Sequence, residues 1–413
     1  MELLPRMRIV SLLVPIRSGI YQFHCNLLRG LTNRDFAITW LCSGSTNATL
    51  IAEEGGTLSD GEIVAQGNDG IVQRTRALLD RIESISPELI LCHARGDPVD
   101  LNAVRYLTSS IPRLLVVHGS TLAVYRSATA LRDHVNVAVA VSPRIQQDLT
   151  SCYGFSDRNL RLIPHGVDIT TFAGMPLRDG ESGPIRILSH GRLDRNKGVF
   201  LLPNILSELA RHSANWLCTV SGDGPDREEL QCRIARSGLT DKVHFTGWTA
   251  PKDVPKLMNQ SDVFVFPTKY EGNPLALIEA MAGGCAPVAS RLTGITDWVI
   301  KEGANGFLFP VGDFVLAAKC LLDLATNRYK LTILRKCARN TAVHFSLDSM
   351  SVQYADLFSR VDSSTELSCV SENLDKYTLP KGLRPAFWYG LPEPVKEHLR
   401  NAREKARRFL PIP

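Results

Sequence analysis

The chain has 413 residues, of which 44% are hydrophobic and 22% charged, and its net charge is +5. The composition is ordinary for a soluble globular protein, and the length exceeds what one hydrophobic core usually serves, so two domains are expected. No apolar run approaches the roughly 18–20 residues needed to span a bilayer. The mild positive charge does not argue for nucleic acid as a partner, and it is compatible with an anionic small ligand.

An apolar run near the N-terminus, from Met7, resembles the core of a signal peptide. It leads into Ser18-Gly19 and a helical pattern without a small-residue cleavage site, so it predicts a buried first strand. The ten cysteines include no C-x-x-C pair. We therefore expect buried free thiols in a reducing cytosol, and a cytoplasmic protein.

Short apolar runs alternate with helical patterns in the first part of the chain. The strand candidates are 7–14, 36–41, 89–92, 114–117, 137–141 and 160–163. In one of the helical patterns, 70–85, Leu78, Leu79 and Ile82 have helical spacing. Alternation of this kind predicts an α/β fold with a doubly wound, mainly parallel sheet.

A stretch rich in glycine, proline and charge, 174–184, indicates a linker, and a second alternating set follows it. Its strand candidates are 185–189, 216–220, 243–246, 263–266 and 286–289. Two α/β halves of similar size are therefore predicted. Because open parallel sheets bind ligands beyond the carboxyl ends of their strands, we expect the site in the cleft between the halves.

The segment 270–284 reads Y-E-G-N-P-L-A-L-I-E-A-M-A-G-G and predicts that a helix begins within it. Asn273 suits the N-cap, because its side chain can accept a bond from an unpaired helix N–H. Pro274 suits the first helical position, where its missing N–H costs nothing. Gly283 and Gly284 then provide a stop.

Two carboxylates flank the start of this helix. Glu271 lies in the loop before it, and Glu279 lies about 7–8 Å along it at 1.5 Å per residue. The helix N-terminus between them favours an anion. This layout suits a nucleotide sugar, with one carboxylate for sugar hydroxyls and one for ribose hydroxyls. The alternatives are an exposed Glu271, and a Glu279 that reaches the helix surface or bonds backbone in the core.

Arg192 and Lys197 lie on one strand-to-helix loop, H-G-R-L-D-R-N-K-G, beside glycines that let backbone approach a ligand. An arginine fork and a lysine point charge suit a diphosphate and the negative charge that develops as it leaves. Taken alone, these cations are better explained as solvated loop residues. The two carboxylates in the same half favour the anion site.

Gly19 lies in the turn after the first strand, where a doubly wound domain faces phosphate. His118 ends another strand, L-L-V-V-H, and is expected to face the cleft, with a structural histidine bonded to backbone as the alternative. The sequence contains no D-x-D, H-E-x-x-H, G-x-S-x-G or P-loop motif, so no metal or protein nucleophile is expected.

Together these motifs resemble the retaining glycosyltransferases of the GT-B class called family 4. The matching pieces run in family order over about residues 7–360. They are the Gly19 turn, His118, V-S-P-R (141–144), L-I-P-H-G-V-D-I-T-T-F (162–172), H-G-R-L-D-R-N-K-G (190–198), S-G-D-G-P (221–225), V-H-F-T-G-W (243–248), the 271–284 motif and N-G-F-L-F-P (305–310).

The resemblance implies two Rossmann-like domains with the donor held mainly by the second. The expected boundaries are 1–173 for the first, acceptor-binding domain, 174–184 for the linker and 185–345 for the donor domain. A helix at 346–362 is expected to cross back to the first domain, and a basic extension, 363–413, to follow it.

By the same resemblance, Glu271 contacts the donor sugar, Arg192 and Lys197 bind the diphosphate, and His118 lies near the anomeric centre; these four form the expected catalytic set. Glu279 is expected to bind the ribose hydroxyls. The donor-binding set that the motifs imply comprises Gly19, Arg192, Lys197, Gly222, Gly247, Glu271, Gly272, Asn273, Pro274, Leu275 and Glu279.

The expected activity is transfer of a sugar from a nucleotide-diphosphate donor to an acceptor hydroxyl with retention, in polysaccharide, glycolipid or other glycoconjugate synthesis. A UDP- or GDP-sugar is the expected co-substrate, without a cofactor or metal. The acceptor is expected to be a carbohydrate, a lipid-linked molecule or a small molecule. The alternatives are an epimerase or phosphorylase on the same architecture, and a non-catalytic nucleotide-sugar-binding protein.

The tail, 363–413, has no strand pattern and matches nothing general in the family. It contains a predicted basic helix, 395–410, that either packs on the body or contacts anionic lipid or another subunit. Lipid contact would place the protein peripherally on the inner membrane face.

Overall fold

The structure is a computed structural model, and it describes residues 7–16, 18–32, 34–44, 60–65, 69–177, 183–363, 369–384 and 395. The predicted basic helix at 395–410 therefore lies outside the described residues except for its first position, and so does Arg17 in the first turn. Among the described helices, none is both long and apolar enough to cross a bilayer.

Seven parallel strands form the first sheet, in the order β3-β2-β1-β4-β5-β6-β7. The strands are β1 (Met7–Leu12), β2 (Phe36–Cys42), β3 (Gly61–Ile63), β4 (Leu89–His93), β5 (Arg113–Val117), β6 (Val137–Ala140) and β7 (Leu160–Leu162). Six of them agree with the predicted strands within two residues. The short edge strand β3 was not predicted, because three residues show no period.

The helices between these strands cover both faces of the sheet. They are α1 (Gly19–Leu31), α2 (Ile71–Ile85), α3 (Pro98–Ala103), α4 (Leu122–Leu131) and α5 (Pro143–Tyr153). In α1, Ser18 is the N-cap and its side chain accepts a bond from the amide of Tyr21, as a helix start requires.

Six parallel strands form the second sheet, in the order β10-β9-β8-β11-β12-β13. They are β8 (Ile185–His190), β9 (Trp216–Ser221), β10 (Val243–Gly247), β11 (Val263–Phe266), β12 (Ala286–Ser290) and β13 (Phe307–Phe309). The predicted pair of doubly wound α/β halves is confirmed. Strand β13 was absent from the predicted strands, and it pairs with β12 at the sheet edge.

Eight helices follow β8 within the described residues, and the first seven belong to the second half. They are α6 (Leu202–Ala210), α7 (Arg227–Arg236), α8 (Val254–Asn259), α9 (Leu275–Ala282), α10 (Thr296–Val299), α11 (Phe314–Thr326), α12 (Arg328–Ala342) and α13 (Leu347–Ser363). Each half buries its own apolar core around its sheet, and a third cluster fills the space between the second sheet and α9.

Helix α13 belongs to the first core although it follows the second half in sequence. Tyr354 and Phe358 are fully buried there, and α13 packs closely on α1: a Cβ on Gly30 would meet the side chain of Leu347 at 2.6 Å. Just before α13, Val167 pairs with Ser346 in a short parallel bridge. The chain therefore crosses back to the first half at this point.

Residues 369–384, here called the C-terminal strap, pack against the first half. The tail was predicted as a basic extension, and this part of it is instead anchored by buried contacts. Leu383 is buried in the first core, and Tyr377 stacks on Tyr106 with ring centroids 5.5 Å apart. Glu372 forms an ion pair with Arg105.

Arg113, in β5, is fully buried and joins the strap to the sheet. Its guanidinium donates hydrogen bonds to the carbonyls of Val370 (3.3 Å), His134 (3.2 Å), Thr108 (2.7 Å) and Leu107.

We predict that Arg113→Met lowers the free energy of unfolding by at least about 2 kcal/mol, because it leaves buried carbonyls unpaired.

Urea unfolding measures this difference. Arg161→Met is the matched control, since this arginine bonds only local carbonyls and is exposed, and it should change the free energy by less than about 0.5 kcal/mol. Equal losses in both variants would contradict the role of Arg113.

Candidate functional site

The carboxyl ends of the strands of both sheets face one cleft, and the halves touch there. A Cβ on Gly272, after β11, would lie 1.8 Å from the carbonyl oxygen of His118, after β5. No side chain fits such a gap, so a glycine at this position lets the two backbones meet. The contact brings the segment around Glu271 to the edge where open parallel sheets bind ligands.

Glu271 belongs to the Glu271 loop, residues 267–274, and its side chain is nearly buried with 8% exposure. Its Oε1 accepts hydrogen bonds from Lys197 Nζ (2.7 Å) and Thr268 Oγ1 (2.9 Å). Across the cleft, Ser120 Oγ donates a bond of 2.9 Å to its backbone carbonyl. The carboxylate is therefore held in place, and its remaining lone pairs can accept bonds from hydroxyls.

Asn273 was predicted as the N-cap of α9, and this prediction is wrong. The cap position is Pro274, which makes no side-chain cap bond, and the helix begins at Leu275. The Asn273 side chain instead donates a hydrogen bond of 3.1 Å to the carbonyl of Val141 in the first half. The residue therefore joins the two halves, and its Oδ1 is buried without a partner.

Glu279 lies in the second turn of α9 and is partly exposed. Within the described residues, no side chain or backbone group donates a hydrogen bond to its carboxyl. Loss of solvent around the carboxyl raises its pKa to about 7. The structure thus favours neither backbone bonding in the core nor a fully solvated side chain. A donor with two adjacent hydroxyls would supply the missing hydrogen bonds.

Arg192 and Lys197 lie on the loop after β8, as predicted. Gly191 and Gly198 have φ values of +139° and +70°, which bend the chain so that both cations project near the strand end. Arg192 is largely exposed, and its Nε lies 3.7 Å from Asp194 Oδ2. Lys197 is held by Glu271, so one cation is fixed and the other has room to meet an anion.

Gly222 and Gly247 end β9 and β10 beside this loop. Gly222 has a φ of +127°, and its amide donates a 2.7 Å hydrogen bond to the carbonyl of Gly247. It has no space for a side chain, because the carbonyl oxygen of Gly191 would lie 1.9 Å from its Cβ. The glycines thus let three loops pack at the same edge. Whether they contact a donor stays a prediction.

Gly19 opens α1 at the end of β1 and is exposed, and a Cβ on this residue would have no other atom within 4 Å. The N-terminus of α1 follows the end of β1, and a helix N-terminus favours an anion. This location fits the predicted turn.

His118 lies in a row of hydrogen-bonded side chains, and both of its ring nitrogens are engaged. His93 Nδ1 lies 2.9 Å from its Nε2, and His165 Nε2 lies 2.9 Å from its Nδ1. The predicted alternative of a histidine bonded to backbone is therefore wrong, because its partners are two other histidines. Its ring points along the strand ends, while its carbonyl oxygen faces Gly272.

Sequence reasoning missed four residues that shape the site. His93 ends β4 and His165 follows β7, so their position at strand ends was a usable signal, whereas Ser120 and Thr268 carry none. On the opposite side of the cleft, a partly buried series of hydrogen bonds joins His190 Nδ1 to Ser221 Oγ (2.9 Å) and Ser221 Oγ to the Thr249 hydroxyl (2.7 Å).

Comparison with known families matches both halves. The model for glycosyl transferases group 1 matches residues 179–341, and the model for Glycosyltransferase Family 4 matches residues 18–171. Solved structures agree on the fold. Two of them are a glycosyltransferase from Rickettsia africae and Anabaena HepE in complex with UDP-glucose, and each superposes with a TM-score of 0.71 at 18% identity. Each superposition covers 86% of this chain, together with 98% of the Rickettsia protein and 100% of HepE.

The fold is thus of the GT-B type, two Rossmann-like halves around a cleft. The chain belongs to the group 1, family 4 glycosyltransferases.

Among curated relatives, the amylovoran biosynthesis glycosyltransferase AmsK of Erwinia amylovora is 25% identical over 264 residues, 58% of this chain and 64% of that protein. The mannosylfructose-phosphate synthase of Agrobacterium fabrum is 32% identical over 191 residues, 42% of this chain and 40% of that protein. The chain therefore spans about 40 to 64% of the length of these relatives.

We predict that Gly272→Ala disrupts the contact between the halves, because its Cβ would overlap a backbone oxygen that cannot rotate away. Overpacking of this kind costs about 1–3 kcal/mol, so thermal unfolding should begin earlier. The matched control is Gly119→Ala, whose Cβ would meet Val124 at an ordinary 3.6 Å. Equal melting temperatures for the two variants would contradict the close approach.

A second prediction concerns Glu279 and pH. In the unfolded chain the carboxyl regains an ordinary pKa near 4.5, so the folded protein holds a proton that the unfolded chain has lost. The contribution of Glu279 to the free energy of unfolding should therefore fall as the pH rises from about 4.5 through 7. The other titrating groups are common to wild type and Glu279→Gln, so urea titrations should show that the free energy of wild type declines relative to that of Glu279→Gln across this range. The exposed control Glu228→Gln should show the wild-type pH dependence; a difference between wild type and Glu279→Gln that does not change with pH would contradict the raised pKa.

Proposed function

We propose that the protein transfers a sugar from a nucleotide-diphosphate donor to an acceptor hydroxyl with retention of the anomeric configuration. The family membership supports sugar transfer. The donor is proposed to be a UDP- or GDP-sugar bound by the second half, with the acceptor, a carbohydrate, lipid-linked molecule or small molecule, bound by the first half.

The Glu271 loop carries the proposal. It places a fixed carboxylate, a lysine and a helix N-terminus at one end of a cleft whose other wall is the backbone of residues 118–120. A carboxylate bonded by Lys197 and Thr268 has lone pairs left for sugar hydroxyls. Arg192, which is exposed on the neighbouring loop, supplies a fork for the diphosphate.

In the proposed reaction, the bond between the anomeric carbon and the diphosphate oxygen breaks, and the electron pair leaves with the diphosphate. Arg192, Lys197 and the start of α9 stabilise the charge that develops there. The acceptor oxygen attacks the same face of the anomeric carbon, and its proton passes to the departing phosphate oxygen. Glu271 orients the sugar, and Glu279 binds ribose hydroxyls. No protein nucleophile is required.

Location and further contacts are also part of the proposal. All ten cysteines are free, six of them buried, which fits the reducing cytoplasm. From the sequence, we also propose that the basic segment 395–410 contacts an anionic membrane or a subunit partner.

Nucleotide release from a panel of UDP- and GDP-sugars tests the function. With the donor that turns over, Arg192→Ala should lower kcat by about 10²–10³, because it removes a positive group from the leaving phosphate. Arg211→Ala, an exposed arginine paired with Glu208, is the control and should retain the wild-type rate. If Arg192→Ala matches that control, the diphosphate assignment is wrong.

Removal of divalent metal tests the source of the positive charge. Because Arg192, Lys197 and a helix N-terminus are proposed to stabilise the leaving diphosphate, nucleotide release should persist within about twofold after dialysis against EDTA. A loss of activity that Mg²⁺ or Mn²⁺ restores would contradict this assignment.

A further inference from the structure

Four side chains form a continuous hydrogen-bonded row along the carboxyl ends of β1, β4 and β5. Ser11 Oγ lies 3.2 Å from His93 Nε2, His93 Nδ1 lies 2.9 Å from His118 Nε2, and His118 Nδ1 lies 2.9 Å from His165 Nε2. Phe23 of α1 supports the row, with its ring centroid 5.1 Å from those of His118 and His165. We call these four side chains the histidine row.

The end of the row defines the direction of its hydrogen bonds. His165 Nδ1 is buried, and no group among the described residues forms a hydrogen bond with it. An unpaired buried N–H costs more than an unpaired lone pair, so the proton of His165 sits on Nε2 and is donated to His118 Nδ1. It follows that His118 carries its proton on Nε2 and donates it to His93 Nδ1, and that His93 donates to Ser11 Oγ. One tautomer is thereby selected at every position.

The row is also uncharged. A charged imidazole donates at both nitrogens, and His118 has a donor already facing its Nδ1. Burial holds the pKa of His93 and of His165 at about 3 and that of His118 well below its ordinary value. Outside the row, the titratable group that acts on His93 is His24 of α1, and burial lowers the pKa of His24 to about 4, so it is also neutral. Tyr354 of α13 packs on Phe23.

The histidine row itself is not arranged to hold a metal ion. The three imidazoles lie in a line and form hydrogen bonds with one another through their nitrogens. In the described part of the chain, no three His, Cys, Asp or Glu side chains are arranged to hold a metal ion.

The row is continuous with the cleft wall, because the carbonyl of His118 meets Gly272 and His165 lies two residues before Val167, where the chain crosses back.

We propose that His93 and His165 are positioning residues that fix the ring of His118 in its neutral, Nε2-protonated form and so hold the His118 backbone against the Glu271 loop. This inference rests on the proposed function only for its consequence in catalysis. If His93 and His165 only filled space, an apolar side chain of similar size could replace either of them without effect. A positioning role instead requires a hydrogen-bond donor facing His118 Nδ1 and an acceptor facing His118 Nε2.

Amide substitutions separate these roles. In His165→Gln the amide reaches the position of Nε2 and can donate to His118, and in His93→Asn the amide oxygen reaches the position of Nδ1 and can accept. His165→Leu and His93→Leu remove the bonds but keep an apolar group. The exposed His212→Leu is the control for loss of a histidine. Circular dichroism and melting temperature identify variants that fail to fold.

The first measurement uses the full chain without ligand. Imidazole ¹⁵N NMR of histidine-labelled protein reports the tautomer and ionisation of His118 between pH 5 and 8. Wild type, His212→Leu and the two amide variants should show a neutral, Nε2-protonated His118 throughout. In the leucine variants, the tautomer should change or an ionisation should appear in this range. A His118 that titrates in the wild type, or that is unchanged in both leucine variants, would overturn the proposal.

The second measurement is nucleotide release with UDP-glucose and GDP-mannose as probes. The leucine variants should lower kcat by about 10- to 100-fold with the donor KM unchanged, because misplacement near the reacting centre has effects of this size. The amide variants should stay within about threefold of wild type. Equal losses in leucine and amide variants would overturn the positioning role. If neither probe is turned over by wild type, the proposed function or donor fails, and the NMR result alone decides this inference.

Discussion

The backbone of Gly272 lies directly against the carbonyl of His118, and the site depends on this contact between the halves. Two hydrogen bonds reinforce it, from Ser120 to the Glu271 carbonyl and from the Asn273 side chain to the Val141 carbonyl. The contact between Gly272 and His118 is made by backbone on both sides, so it sets the distance across the cleft independently of side-chain rotamers. The carboxylate of Glu271 therefore faces the first half at a set position.

The two walls of the cleft differ in charge. On the second half, Lys197 and Glu271 form an ion pair and Arg192 is exposed. On the first half, the histidine row brings three titratable side chains to the strand ends but keeps them neutral by burial and mutual hydrogen bonding. The exposed Arg192 thus attracts an anion to the second half, which suits a ligand whose diphosphate lies there and whose sugar reaches towards the first half.

Much of this arrangement was predictable from the sequence, and the limits have physical causes. Among the described residues, alternating patterns identified eleven of the thirteen strands, and missed β3, whose G-E-I has a single apolar residue, and β13. The glycines and charged residues of the loops could be predicted because each motif lies within a few consecutive residues of the sequence. The partners of Asn273 and His118 come from segments distant in sequence, so neither the bond to Val141 nor the histidine row follows from any motif. The strap was missed because irregular chain has no period.

The central claim is that one ligand site uses both halves, with the Glu271 loop against residues 118–120. Hydrogen–deuterium exchange of the full chain with and without UDP tests it most directly. The account predicts slower exchange with UDP in the segments 191–198 and 271–279 and, at the same time, in 118–120. Protection confined to segments outside this cleft, or protection of the second half with no change at 118–120, would contradict it.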